Sequence, residues 1–202
     1  MPAFPDRPLM FPVDHGDSAV KKALPDFREQ CKGKNVLYIE LLPQNVEQVL
    51  RHGKYSSEPK VAAYQRLVLA AKSQGLRIVP LCKKEIIGKL LQANADRLLG
   101  KQGAEARYFF TMYYEREHMW LETLKRASPS SVIAMHPEHA RSIAKALRIP
   151  KENIFSKHAK YKPLENLRAA WPVHPLPENI ARARRIAKQM APRQKRQSPK
   201  PR

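Results

Sequence analysis

The sequence is poor in cysteine, with only Cys31 and Cys82 among 202 residues. Two widely separated thiols outside any CxxC motif provide neither a disulfide framework nor a cysteine-based metal site. We therefore interpret both as reduced thiols and expect the chain to work in the cytoplasm.

Long apolar runs and the common nucleotide and hydrolase motifs are also missing. No stretch approaches the roughly 18 uninterrupted apolar residues of a transmembrane helix. The first 17 residues contain three Asp and no apolar core of a signal peptide. The absence of GxGxxG, GxxxxGK[ST], GxSxG and HExxH argues against dinucleotide-binding proteins, P-loop NTPases, serine hydrolases and zincins.

Acidic residues are scarce relative to basic ones. The chain has 18 Asp and Glu but 38 Lys and Arg, which gives a net charge of +20. The segment Arg182–Arg202 contains no acid at all. Such a balance favours contact with phosphates or acidic surfaces. The predicted partner of this segment is a nucleic acid or an acidic protein, and the alternative is a solvated extension that aids solubility.

Apolar runs alternate with segments of helical periodicity along most of the chain. This alternation indicates an α/β fold, a mostly parallel sheet of about four to five strands with helices on both faces, in a single domain. The predicted strands are Leu9–Val13, Asn35–Leu42, Leu76–Leu81, Ser131–Met135 and a short one at Asn153–Phe155. The predicted helices are Ala19–Gln30, with an interruption at Pro25, Glu58–Gln74, Glu85–Leu99, Ala104–Ala127 and Pro137–Leu147.

Proline and charge patterns divide the chain into four parts. Repeated prolines make residues 1–8 an extended segment, and residues 9–160 form the α/β domain. Residues 161–191 comprise a Pro-containing segment and a basic helix. Residues 192–202 are predicted to be a disordered basic tail, since they lack apolar side chains to bury.

Polar side chains fall at the ends of three predicted strands. His15 follows the first strand, Glu40 lies within the second, and His136 and His139 follow Ser131–Met135. Ligands bind beyond the carboxyl ends of parallel strands, so we expect these groups to converge. A carboxylate such as Glu40 is costly to bury without a partner and therefore indicates a site. The alternative is an exposed glutamate on an edge strand.

Two further residues stand out by their position on helices. His139 is the third residue of a helix that begins at Pro137, where the helix dipole disfavours imidazolium. A neutral imidazole suits a metal ligand or a general base, and the alternative is an exposed histidine in the first turn. On the long helix, Glu117 lies near the centre of the apolar stripe and Arg116 at its edge. Arg116 could reach a carboxylate such as Glu40, or it could extend to solvent along its aliphatic stem.

The order of these residues resembles the TraB/ChaN/Tiki superfamily and shares features with erythromycin-esterase-like proteins. That pattern has a histidine after the first strand, a glutamate at the next, an arginine in an ERxxxM-like segment and a histidine after a late strand. The matching positions are His15, Glu40, Arg116 with Met119, and His139, over roughly residues 9–147. Pro12 and His136 stand where the pattern has glycines.

The resemblance implies a hydrolase-like domain that performs metal-assisted hydrolysis or binds a ligand. His15 and His139, with His136 as a further candidate, would hold a divalent metal. Glu40 would be a ligand or general base, and Arg116 would orient a carboxylate or stabilise negative charge. The alternatives are a basic nucleic-acid or acidic-partner binding protein and a catalytically degenerate scaffold.

Overall fold

The centre of the fold is a sheet of four parallel strands. The computed structural model describes residues 7–158 of the chain. In chain order the strands are β1 Leu9–Pro12, β2 Val36–Ile39, β3 Arg77–Pro80 and β4 Ser131–Met135. Their order across the sheet is β1-β4-β2-β3, and every neighbouring pair is parallel.

Helices connect the strands and cover the sheet. They are α1 Asp17–Cys31, α2 Pro43–His52, α3 Pro59–Lys72, α4 Lys84–Leu98, α5 Ala104–Phe109, α6 Arg116–Leu124 and α7 Pro137–Ala146. A π-helical segment, Phe110–Glu115, joins α5 to α6. Within residues 7–158, none of the helices has the length and apolarity needed to cross a membrane.

Alternate residues of the strands enter two separate hydrophobic cores, because successive side chains of a strand point to opposite faces. On β2, Leu37 and Ile39 pack with the buried side chains of α1 and α3. Val36 and Tyr38 pack on the other face with the buried side chains of α6 and α7. Helices therefore cover both faces of the sheet, and the predicted α/β architecture is confirmed.

The carboxyl ends of three strands lie level with one another. Ile39 of β2 is opposite Ala134 of β4, and Met135 of β4 is opposite Pro12 of β1. The residues that immediately follow these strands therefore share one edge of the sheet, which is where the candidate site lies.

Two predictions around proline are wrong in an informative way. Pro25 does not interrupt the first helix, which runs from Asp17 to Cys31. The ring of Pro25 lies on the exposed face, where water can hydrate the carbonyl that loses its partner. The second strand already ends at Ile39, and Pro43, which was predicted to end it, is the first residue of α2, a helix that was not predicted from the sequence. Proline is well tolerated at that position, because the first N–H groups of a helix have no partner within it.

Two larger differences concern the long helix and the last predicted strand. The predicted helix over Ala104–Ala127 is helical without a break as far as Leu124, where α6 ends. It contains the π-helical segment, which was not predicted. The predicted strand at Asn153–Phe155 is wrong, because Ile154 forms only an isolated bridge to Met10 after a short 3₁₀ turn. The predictions for residues 1–6 and 159–202, which include the basic helix and the tail, lie outside the described residues.

Candidate functional site

Three residues that follow three different strands meet at the carboxyl edge of the sheet. His15 Nε2 lies 3.7 Å from Glu40 Oε1. The rings of His15 and His136 stack with their centroids 4.9 Å apart. The backbone N–H of His136 donates a hydrogen bond of 2.9 Å to Glu40 Oε2. The convergence that the sequence analysis expected for these three residues is therefore present.

Glu40 is buried and forms an ion pair with Arg116. Arg116 Nη2 donates to Glu40 Oε1 over 2.7 Å and also approaches Cys82 Sγ at 3.5 Å. Its guanidinium lies over the ring of Trp120, 4.6 Å from the centroid. Burial by itself would raise the pKa of Glu40, but Arg116, His139, His15 and the backbone N–H of His136 together outweigh it, and the pKa falls to about 2. Glu40 is therefore a carboxylate at neutral pH, held by the guanidinium and by a backbone N–H.

The π-helical segment Phe110–Glu115 ends immediately before Arg116. A π-helical turn is wider than an α-helical turn and is frequently found at functional sites. Here it precedes Arg116, which pairs with Glu40 at the sheet edge. The cluster of bulky side chains FFTMYY is the only local sequence signal for this irregularity, and it does not distinguish a π-helix from an α-helix.

The imidazole of His15 contacts two rings. Its centroid lies 4.4 Å from that of Tyr64 and 4.9 Å from that of His136. The Tyr64 hydroxyl donates to the carbonyl of Val13 over 2.7 Å and so fixes the turn that carries His15. Burial lowers the pKa of His15 below its usual 6.5, although the charge of Glu40 acts in the opposite direction. At neutral pH the ring is uncharged and can accept a proton.

The ring of His136 lies near two acidic residues other than Glu40. Its Nε2 lies 3.1 Å from Asp14 Oδ1, and its Nδ1 lies 4.0 Å from Glu138 Oε2. Glu138 in turn accepts a hydrogen bond of 3.2 Å from the hydroxyl of Tyr113. His136 thus contributes its backbone N–H to Glu40 and its ring to the stack on His15.

His139 belongs to the core between α6 and α7. Its Nδ1 lies 2.7 Å from Glu117 Oε1, and the Ser142 hydroxyl donates to Glu117 Oε2 over 2.8 Å. Burial lowers the pKa of His139 to about 3 and raises that of Glu117 well above 4.5. His139 is neutral, as its place near the helix start predicted, but the main cause is burial. The sequence analysis did not identify Ser142 as the third member of this group.

Most of the donor atoms that the resemblance implied for a metal are engaged by other residues. Both oxygens of Glu40 are engaged by Arg116 and His136, and Nδ1 of His139 is engaged by Glu117. Within residues 7–158, no group of three or more His, Cys, Asp or Glu side chains is placed to hold a metal ion. The divalent metal therefore stays a prediction, and no chemistry below depends on it.

A cleft of about 360 Å³ opens onto this cluster. Its polar floor is formed by the side chains of His15, Glu40, Tyr64, Cys82 and Arg116. Its other lining residues are Leu41, Leu42, Asn45, Glu58, Lys60, Val61, Ile87, Leu90, Leu91 and Met112. The cleft therefore joins a charged and polar floor to a largely apolar wall.

Among the predicted site residues, His15, Glu40 and Arg116 line this cleft, whereas His136 and His139 are not among its lining residues. Tyr64 and Cys82 were not predicted as site residues. Tyr64 belongs to the apolar stripe of its helix in the sequence, and Cys82 has no distinguishing neighbours, so no local pattern could have found either. Comparisons of the chain with family models, curated proteins and solved structures gave no match, so the geometry of the chain's own residues must carry the functional interpretation.

Proposed function

We propose that the cleft is the active site of a hydrolase that cleaves an ester-type carbonyl compound, with His15 as the general base. The observation that carries this proposal is the placement of a neutral, partly exposed imidazole against a buried carboxylate–guanidinium pair in one cleft. Buried ion pairs are poor stabilisers compared with apolar packing. A role in chemistry gives a reason for the pair of Glu40 and Arg116 to exist.

The hydrolysis would begin with His15 taking a proton from a water molecule as the water oxygen attacks the carbonyl carbon. The carbonyl π electrons move to oxygen, and the guanidinium of Arg116 stabilises the resulting negative charge. As the tetrahedral intermediate collapses, the bond to the leaving oxygen breaks. The proton on His15 passes to that oxygen, which releases an alcohol and a carboxylic acid.

Arg116 retains hydrogen-bonding capacity for this role. A guanidinium has five N–H donors, and Nη2 is its only nitrogen with a hydrogen bond to another residue in the part of the chain that the structure describes. Glu40, whose carboxylate lies 3.7 Å from His15 Nε2, would stabilise the imidazolium as it forms. In this proposal Glu40 positions and polarises its neighbours, and it does not itself take the proton.

The resemblance to the TraB/ChaN/Tiki superfamily remains a hypothesis that agrees with this proposal, since three of its matching positions line the cleft. The metal-assisted version of the reaction makes a different prediction, because a chelator would then abolish activity. The proposed binding of a nucleic acid or acidic partner concerns Arg182–Arg202, which lies outside the described residues.

Substituting His15 with alanine is expected to lower kcat/KM for p-nitrophenyl hexanoate by about 100-fold or more, because a general base contributes roughly 10²–10⁴-fold. His52→Ala is the matched control, since His52 is an exposed histidine at the end of α2 and does not line the cleft. Release of p-nitrophenol, measured with and without EDTA, checks the expectation. Equal activity of His15→Ala and the wild type would rule out the proposed base.

The pH profile of the same reaction provides a second readout. The base must be neutral, and burial holds the pKa of His15 below 6.5. Therefore kcat/KM should rise with pH and reach its plateau below the pH at which an ordinary histidine would do so. A rise that is still incomplete well above pH 6.5 would contradict the assignment.

A further inference from the structure

We infer that the cleft takes an uncharged ester of an aliphatic acid, with the acyl chain lying along its apolar wall. The inference rests on the proposed function and names its substrate class. It follows from three properties of the cleft: the apolar character of its wall, the neutrality of its charges and its volume.

Seven of the ten residues that line the cleft outside its polar floor are apolar. They form a wall that is built from side chains that follow β2, from α3 and α4, and from the π-helical segment. These side chains are Leu41, Leu42, Val61, Ile87, Leu90, Leu91 and Met112. All except the buried Leu41 retain exposed surface, and Leu91 is 65% exposed. An aliphatic chain laid along this wall would remove its apolar surface and that of the wall from water, which is favourable.

The charges that line the cleft cancel. Glu40 and Arg116 neutralise one another across 2.7 Å at the floor. At the rim, Glu58 and Lys60 are exposed and carry opposite charges two residues apart. A charged substrate group placed along the apolar part of the wall, away from Glu58 and Lys60, would lose its hydration without gaining a partner. The cleft therefore favours an acyl chain without an ionised end.

The size of the cleft limits the length of chain that it can bury. At about 360 Å³ the cleft lies within the usual range of small-molecule sites, about 300–1,000 Å³. A chain that is longer than the apolar wall must leave the cleft past the exposed Leu91 and gains no further burial.

The test is the dependence of hydrolysis on chain length. With p-nitrophenyl esters from acetate to myristate, kcat/KM should rise by up to about fourfold per methylene, the equivalent of burying one CH₂. The rise should end at the chain length that covers the apolar wall, and longer chains should gain nothing further. The mono-p-nitrophenyl ester of suberic acid, which carries a carboxylate at the chain end, should react at least about tenfold more slowly than the octanoate ester.

Substitution of Met112 should move this chain length in both directions. Met112→Trp narrows the wall and should favour shorter chains, whereas Met112→Ala should favour longer ones, so a folding failure of one variant leaves the other informative. Leu99→Trp is the control, because Leu99 is 72% exposed and is not among the residues that line the cleft. Its profile should match that of the wild type.

Binding of 2-octanone, an uncharged ketone that cannot be hydrolysed, separates this inference from the proposed function. Calorimetric titration of the full chain should detect binding of 2-octanone to the wild type and weaker binding to Met112→Trp. If 2-octanone binds in this way but no ester is hydrolysed, the ligand class holds and the proposed function fails. Ester hydrolysis with no dependence on chain length, in the wild type and in both Met112 variants, would overturn the inference alone.

Discussion

Replacing Arg116 with methionine is expected to lower the free energy of unfolding by about 3–5 kcal/mol, the usual cost of leaving a buried charge without its partner. Glu40 is 4% exposed and would keep only the N–H of His136 as a donor. Methionine approximates the aliphatic stem of arginine, so the packing against Trp120 is largely preserved. The loss of unfolding free energy should therefore measure the cost of leaving the Glu40 carboxylate buried without its partner.

The coupling between the two residues can be measured with a double-mutant cycle. In a Glu40→Gln background the same Arg116→Met substitution should cost less, by about 1–3 kcal/mol, because no charge is left unpaired. Arg51→Met is a matched control, since Arg51 forms an exposed pair with Glu47 within one helix, and exposed pairs contribute little. Urea unfolding of the four variants gives the cycle, and strict additivity would mean that the pair does not act as a unit.

Acid is expected to destabilise the protein by several kcal/mol, chiefly through His139. Burial holds its pKa at about 3 in the folded state, against 6.5 when unfolded. Below pH 6.5 His139 binds a proton in the unfolded chain but not in the folded chain. The free energy of unfolding therefore falls as the pH falls from 6.5 toward 3. Glu40, with its pKa at about 2, adds a further loss between pH 4.5 and 2.

The substitution His139→Gln isolates the contribution of the histidine, since glutamine can hydrogen-bond to Glu117 but does not titrate. The stability difference between the wild type and this variant should shrink as the pH falls from 6.5. Glu117 acts with the opposite sign, because burial raises its pKa and its contribution is lost as the pH rises above 4.5. A stability difference that is constant from pH 7 to pH 4 would show that His139 is not buried as a neutral group.

The alternation of strands and helices was predictable because each strand is a short apolar run. Ser131–Met135 was located to the residue, and the other three strands were located with ends that were one to three residues too long. Those excess residues, such as Leu41 and Leu81, are apolar because they are buried beyond the end of the ladder. Apolar character alone does not distinguish a paired strand from a buried loop.

The candidate site was predictable where a charged residue lies within an apolar segment of the sequence. Glu40 breaks an apolar run, and Arg116 lies at the edge of an apolar stripe, so each needed a partner and they have one another. His139 was singled out by its place at a helix start, and its partner is the buried Glu117 on another helix. Helical periodicity placed Glu117 near the centre of the apolar stripe, but it could not show that His139 would meet it in the core.

The pKa of His15, followed by NMR as the pH is varied, tests most directly whether His15, Glu40 and Arg116 form one electrostatic site. The His15 imidazole resonance can be assigned by its absence in His15→Ala. Burial should hold its pKa below 6.5 in the wild type, and the pKa should fall further in Glu40→Gln, because the Glu40 charge raises it. A pKa of 6.5 or above that does not change in Glu40→Gln would contradict the account.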